Sequence, residues 1–237
     1  MKIFPEGDGI FETIKTIDGV PQFLNRHVIR AEKSAQALAI AFPSREDIAR
    51  IIQEVIATSP VSGTGRLRVT FPVSGEVFAI HEPFIPWSSP ARVTLLDSVI
   101  DEKSPLAGHK VLPYSENLRL LESVRSMGFD DGIRLNSSGY VCESTIGNVI
   151  MKMDDRWITP TLASGALPGI TRAVVIEWLD VYEEDLLGSD LSDVESIFLL
   201  SSLKNLQPVE FLDDRKLEIN EDLLQVVRAR TSQDLVD

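Results

Sequence analysis

The order of apolar and polar positions divides the chain into strand-like and helix-like stretches. After the turn signal Glu6-Gly7-Asp8-Gly9, the run Ile10-Phe11-Glu12-Thr13-Ile14-Lys15-Thr16-Ile17 alternates large apolar with polar residues, which predicts a strand, and Asp18-Gly19 closes a hairpin behind it. From Asn25 to Ala41 the positions Val28, Ile29, Ala31, Ala35, Leu38 and Ala39 recur at helical spacing. Ser44 is a good N-cap for a second helix, with Asp47 three residues on and Ile48, Ile51, Ile52, Val55 and Ile56 as its buried stripe. Strands are predicted over 65–73, 77–80 and 92–96, the last of them after a segment broken by Pro83, Pro86 and Pro90. A helix over 116–127 stops at Gly128. Short strands over 132–135, 141–143, 148–152 and 157–160 follow, then a helix over 171–179, an apolar strand over 196–200 and a terminal helix over 220–230. The irregular Ser104-Pro105-Leu106-Ala107-Gly108 reads as a link. The expected organisation is therefore a smaller α+β lobe over 1–100, a linker over 101–109 and a larger lobe over 110–237.

Composition narrows the function classes. With 237 residues, 43% hydrophobic and 25% charged, and a mean hydropathy near zero, disorder, collagen-like repeats and membrane-spanning segments are poor explanations. The net charge of −13 repels phosphate backbones and anionic lipid surfaces, so nucleic acid and membrane are not expected partners. The single cysteine, Cys142, makes no internal disulfide and gives no metal-ligand pattern, and no metal is expected. The N-terminal MKIFPEGDGIFE lacks an apolar signal core, so a reducing cytoplasm is the expected location.

Several residues stand out as candidate chemistry. Ala166-Leu167-Pro168-Gly169-Ile170-Thr171-Arg172 lies directly before a predicted helix, whose first N–H groups favour an anion such as phosphate; a plain loop with Thr171 as N-cap explains the same residues. Lys110, in Gly108-His109-Lys110-Val111-Leu112-Pro113-Tyr114, is set in a loop rather than on a solvated helix face, where a desolvated amine could attack a carbonyl; most isolated lysines are simply exposed. Glu143 ends the mostly apolar Tyr140-Val141-Cys142-Glu143 and either points inward to a donor or reaches water at the strand end. Arg66 and Arg68 share one face of their strand by its period of two and could hold a substrate carboxylate or face solvent.

Taken together, these residues resemble the class IV aminotransferases, the pyridoxal 5′-phosphate (PLP) enzymes of fold type IV that include branched-chain and D-amino-acid aminotransferases and aminodeoxychorismate lyase. The resemblance runs through Gly7-Asp8-Gly9-Ile10-Phe11-Glu12, His27-Val28-Ile29-Arg30 with Ser34-Ala35, and Lys110. It continues in Glu143-Ser144-Thr145-Ile146-Gly147-Asn148, the turn Ala166 to Arg172, and Ser201-Ser202-Leu203 with Pro208-Val209 downstream. It implies an α+β, two-lobed fold with PLP between the lobes, a homodimer, and an amino acid and a 2-oxo acid as small-molecule substrates. Lys110 is then the Schiff-base lysine, and Arg30, Glu143, Asn148, Gly169, Ile170, Thr171 and Ser202 hold the cofactor. Phe11, Arg66, Arg68, Tyr114 and Leu203 stand as substrate contacts. In these roles Arg30 and the Ile170 and Thr171 amides neutralise the phosphate, and Glu143 keeps the pyridine nitrogen protonated.

Two departures from the family pattern shape the expectation. Only six residues precede Gly7 where members commonly have a further strand pair, so the sheet edge or dimer contact is expected to differ. Phe71-Pro72 stands where the D-amino-acid and lyase members usually carry Arg-Gly, so a D-amino-acid carboxylate trap is not expected. Three functions follow from the resemblance: an aminotransferase acting on an amino acid, possibly branched-chain, and a 2-oxo acid; an aminodeoxychorismate lyase that releases pyruvate and forms 4-aminobenzoate; and an inactive binding or scaffold member, against which the intact Lys110, Glu143 and Arg30 set argues.

Overall fold

A computed structural model describes residues 8–231; Glu6 and Gly7 of the first turn signal lie outside the described residues. The described chain divides into two compact units, one built from 8–86 with 109–115 and the other from 87–108 with 116–231.

In the first unit, β1 (Gly9–Ile17) and β2 (Val20–Pro21) form the expected hairpin, followed by α1 (Leu24–Ala37), α2 (Arg45–Thr58), β3 (Thr64–Pro72) and β4 (Phe78–Pro83). The sheet runs β2-β1-β3-β4, all antiparallel. One face carries Ile10, Ile14, Leu67, Val69 and Phe71 at every second position, and these pack on Ala31 and Ala35 of α1 and Ile48 and Ile52 of α2. Helix α1 ends four residues before the predicted stop at Ala41. Ala39 takes φ 53°, and its N–H and that of Ile40 donate to the Gln36 and Ala35 carbonyls (3.4 and 2.9 Å), which caps the helix end. Ser44 caps α2 as expected, its Oγ accepting from the Asp47 N–H at 3.1 Å.

The next strand corrects the expected boundary. β5 (Ala91–Ile100) pairs in parallel with two strands of the second unit and none of the first, whereas β6 (Val111–Leu112) returns to pair with β1. Lys110 therefore lies in the first unit, not in the C-terminal lobe, and the expected linker 101–109 joins neither lobe end to end. Pairing across long sequence separation, not local composition, decides which sheet a strand joins.

In the second unit come α3 (Ser115–Ser126), β7 (Asp131–Asn136), β8 (Val141–Ser144), β9 (Asn148–Met153), β10 (Arg156–Thr159), α4 (Ile170–Trp178), β11 (Val181–Glu183), β12 (Ser196–Ser201), β13 (Asn205–Leu212), β14 (Arg215–Lys216) and α5 (Glu221–Thr231). The strand order is β11-β10-β9-β12-β13-β5-β7-β8, with β14 on β13. One core gathers Val93, Ile133, Val141, Val149, Met151, Ile197 and their neighbours. A second joins Ile150, Phe198 and Leu200 to Val175 of α4 and to Leu223, Leu224 and Val227 of α5. The alternation Ile197/Leu199 against Phe198/Leu200 thus feeds two cores from one strand buried on both faces, which is why 196–200 reads as a continuous apolar run. β13 was not predicted, because Pro208 interrupts it. Pro208 lies opposite Phe198 and one residue before Val209, where pairing with β5 begins, so its missing N–H is not asked of that ladder. No helix of the described residues is long and apolar enough to cross a membrane.

Candidate active site

A strand pairing places Lys110. Val111 lies opposite Ile10 and Leu112 opposite Gly9, and the Phe11 N–H continues the ladder by donating to the Lys110 carbonyl at 3.0 Å. Lys110 and Phe11 are therefore cross-strand neighbours. The Lys110 Nζ lies 4.6 Å from the Phe11 ring centroid and 4.9 Å from that of Tyr114. The two rings meet edge to face, 5.0 Å apart at 75°. The Arg68 guanidinium also sits on Phe11, its Cζ 3.9 Å from the centroid. Burial, with the charge of Arg66 adding to it, pushes Arg68 down to about 10, still a cation at neutral pH. Next to Lys110, His109 is tied to α1 by a 2.9 Å hydrogen bond between its Nδ1 and the Ser34 Oγ. The structure thus brings together Phe11, Arg68, Lys110 and Tyr114 of the predicted residues. Arg66 shares the strand face but is engaged elsewhere, donating to Glu82 through Nε at 2.9 Å and through Nη2.

The opposite face of β1 holds an ionic group that the sequence reading missed. Glu12 is 2% exposed and accepts from Arg30 twice, Nε to Oε1 at 2.9 Å and Nη2 to Oε2 at 2.5 Å. The His27 Nδ1 approaches the same Oε2 at 2.7 Å. Burial raises the Glu12 carboxyl, but the Arg30 charge and the His27 hydrogen bond outweigh it and hold it at about 2. Burial also keeps His27 below the usual imidazole range, against the pull of Glu12. The signal was present: counting by twos from Ile10 and Ile14 puts Glu12 on the inward face, and His27 and Arg30 flank Ala31 on the inward stripe of α1. Arg30, expected at a phosphate, is oriented by Glu12 along one edge of its guanidinium.

In the second unit, a tight turn joins β8 to β9 and sets Glu143 beside Asn148. The Glu143 Oε2 accepts from the Leu167 N–H at 3.0 Å and from the Asn148 Nδ2 at 3.4 Å, and the same Nδ2 donates to the Leu167 carbonyl at 2.8 Å. Asn148 therefore bridges Glu143 to the 166–169 segment. Glu143 is half-buried and held by one backbone N–H and the Asn148 amide. Gly169 packs so closely on Asn148 that a Cβ there would collide with its Oδ1, which gives this glycine a reason independent of any ligand. The turn behind Glu143 is pinned by buried Asp131, which accepts from the Thr145 N–H (3.0 Å), the Ser144 Oγ (3.1 Å) and the Thr145 Oγ1.

Helix α4 begins at Ile170 with Gly169 as an extended N-cap and no side chain capping it. Thr171 is accordingly inside the first turn and not the cap, and the first-turn N–H groups of Ile170 and Thr171 point out of the helix. Arg172 is structural: its Nη2 donates to the Pro160 carbonyl at 2.7 Å and pairs with Glu183. Ser202 and Leu203 sit in the turn between β12 and β13. In that turn the Lys204 Nζ lies 3.0 Å from the Trp87 ring centroid, and burial lowers the lysine to about 8. Sequence reasoning singled out neither residue.

Comparison with known proteins gives the family and the fold. Residues 9–211 match the family model for amino-transferase class IV. The chain is 27% identical to the "Putative branched-chain-amino-acid aminotransferase" of Methanocaldococcus jannaschii over 88% of this chain and 80% of that one. It is 26% identical to an aminodeoxychorismate lyase of Vibrio harveyi over 87% of this chain and 83% of that one. Among solved structures, a fold IV transaminase from Curtobacterium pusillum superposes with a TM-score of 0.82 at 30% identity, covering 94% of this chain and 85% of that chain.

Proposed function

We propose that this chain, which belongs to the amino-transferase class IV family, is a PLP-dependent aminotransferase that moves an amino group between an amino acid and a 2-oxo acid. The observation that carries the reading is the Lys110 cluster, in which a primary amine and the Arg68 guanidinium are held against the single ring of Phe11. The donor set fits the cofactor by its chemistry: an amine for an aldehyde, a carboxylate for a ring N–H, and an uncapped helix N-terminus for a phosphate.

PLP, when bound, supplies an electron sink for the pair released at the substrate Cα. Lys110 would hold the cofactor aldehyde through Nζ, and its free amine would serve as the general base for the Cα proton. Glu143, its Oε2 fixed by the Leu167 N–H and Asn148, would accept the cofactor's ring N–H and keep that proton in place. The Ile170 and Thr171 N–H groups, Gly169 and Ser202 would hold the phosphate, together with Arg30, whose guanidinium Glu12 orients. Arg68 takes a substrate carboxylate, and Phe11, Tyr114 and Leu203 exclude water from the substrate side. A homodimer belongs to the same reading, and a sizing measurement checks it.

Lyase activity is the second reading, favoured by the near-equal identity to the Vibrio harveyi lyase. The two share the lysine and the electron sink, so the substrate decides between them. The test is an absorbance spectrum of the protein with added PLP, followed by L- and D-amino acids and then aminodeoxychorismate. A cofactor band that shifts with an amino acid supports transamination, while pyruvate release with no response to any amino acid establishes the lyase. Lys110→Ala is expected to abolish both the lysine-dependent band and turnover; full activity in that variant ends both readings.

A further inference from the structure

Arg66 and Arg68 look equivalent in the sequence, and strand register makes them different. Across the first unit's sheet, Arg66 lies in a row with Lys15 of β1 and Glu82 of β4, and Arg68 in a row with Thr13 and Ile80. Directly opposed like charges destabilise a sheet, so the Lys15–Arg66 pair calls for a counter-charge. Glu82 provides it, engaging Arg66 through both Nε and Nη2. The row of Arg68 contains a hydroxyl and an isoleucine instead, and its guanidinium lies on Phe11 beside Lys110. Both side chains leave the same strand face, about 7 Å apart along the strand. That is a spacing a short diacid could bridge.

We propose that Glu82 is a specificity-determining residue. By holding Arg66, it leaves the reading of a substrate carboxylate to Arg68, and so favours substrates with one carboxylate beside an apolar chain over substrates with two. This rests on the aminotransferase reading above, in which Arg68 takes a substrate carboxylate. Releasing Arg66 gives the face a second guanidinium for a diacid, at no cost to a monoacid that uses Arg68.

The experiment is calorimetric titration of glutarate and 4-methylpentanoate into the protein, with and without PLP, for the wild type and for Glu82→Gln, Arg66→Gln, Arg68→Gln and the Glu82→Gln/Arg66→Gln double variant. Wild type is expected to bind 4-methylpentanoate more tightly than glutarate. In Glu82→Gln, glutarate should tighten by about tenfold while 4-methylpentanoate stays within about twofold. The double variant should return to the wild-type ratio, and Arg68→Gln should weaken both acids. A Glu82 that only offsets the Lys15–Arg66 repulsion would lower thermal stability in Glu82→Gln and leave the ratio of the two acids unchanged, which overturns the proposal. It is also overturned if Arg66→Gln weakens 4-methylpentanoate as much as Arg68→Gln does, or if the wild type binds neither acid. Failure of the aminotransferase reading is recognised separately, by a PLP spectrum that no amino acid alters, and leaves the acid ratio to be read on its own.

Discussion

Among the described residues each unit buries one carboxylate almost completely, Glu12 at 2% exposure in the first and Asp131 at 1% in the second. Glu12 is met by the charge of Arg30 and a hydrogen bond to the His27 ring, which hold its pKa at about 2. Asp131 is met mainly by dipoles: the Gly132 and Thr145 N–H groups and the Ser144 and Thr145 hydroxyls. Its pKa is raised, because burial outweighs those hydrogen bonds and the more distant charge of Lys204. Hydrogen bonds satisfy a buried carboxylate's lone pairs; a neighbouring cation fixes its charge. The first arrangement aims a guanidinium, and the second holds a turn in shape.

The sharpest way to break this contrast is to neutralise the charged site. Glu12→Gln leaves Arg30 buried without its carboxylate and is expected to cost about 3–5 kcal/mol, measured by urea unfolding. A loss below about 1 kcal/mol would place Glu12 with ordinary hydrogen-bonded acids. The next effect is on pH dependence. Glu12 has a folded pKa depressed from 4.5 to about 2, so its contribution is complete above 4.5 and is lost as pH falls towards 2. His27, held neutral by burial, adds to the same acid limb, since its unfolded form binds a proton from 6.5 downward and its folded form does so only at lower pH. Asp131 acts in the opposite sense: with its pKa raised above 3.8, it favours the fold most at low pH and loses that advantage as pH rises through its folded value. Stability measured from pH 7 to 2 should therefore show an acid limb that Glu12→Gln flattens and Asp131→Asn does not. The smallest effect is Asp131→Asn at neutral pH, about 1–2 kcal/mol from acceptor capacity withdrawn from the Thr145 and Ser144 donors. A loss larger than that of Glu12→Gln would reverse the comparison.

These residues also show how far the sequence could be read. Periodicity found the five α-helices of the described chain and most strands, because their apolar faces are built from near neighbours along the chain. It missed the short β6, β11 and β14 as well as β13, where Pro208 hides a strand, and it could not tell which sheet β5 joins. At the candidate site, Lys110 and Glu143 take their roles from the family resemblance and not from periodicity, and the structure sets them beside Phe11 and Asn148 respectively. The different fates of Arg66 and Arg68 were not legible, since they depend on whether Glu82 or Ile80 stands opposite. Glu12 was hidden for a different reason: a glutamate beside Phe11 in an alternating strand reads as polar-out until the inward face is counted from Ile10 and Ile14.

Among the described residues the chain visits the first unit twice, leaving after Pro86 and returning for His109–Ser115. Any recombinant exchange of that unit between relatives must move two separate pieces of gene, because the short second piece carries both Lys110 and the strand that sets it beside Phe11. A chimaera with one crossover near Pro86 would join one parent's β1 to the other parent's β6. Its amine would then stand against a ring chosen by a different ancestor.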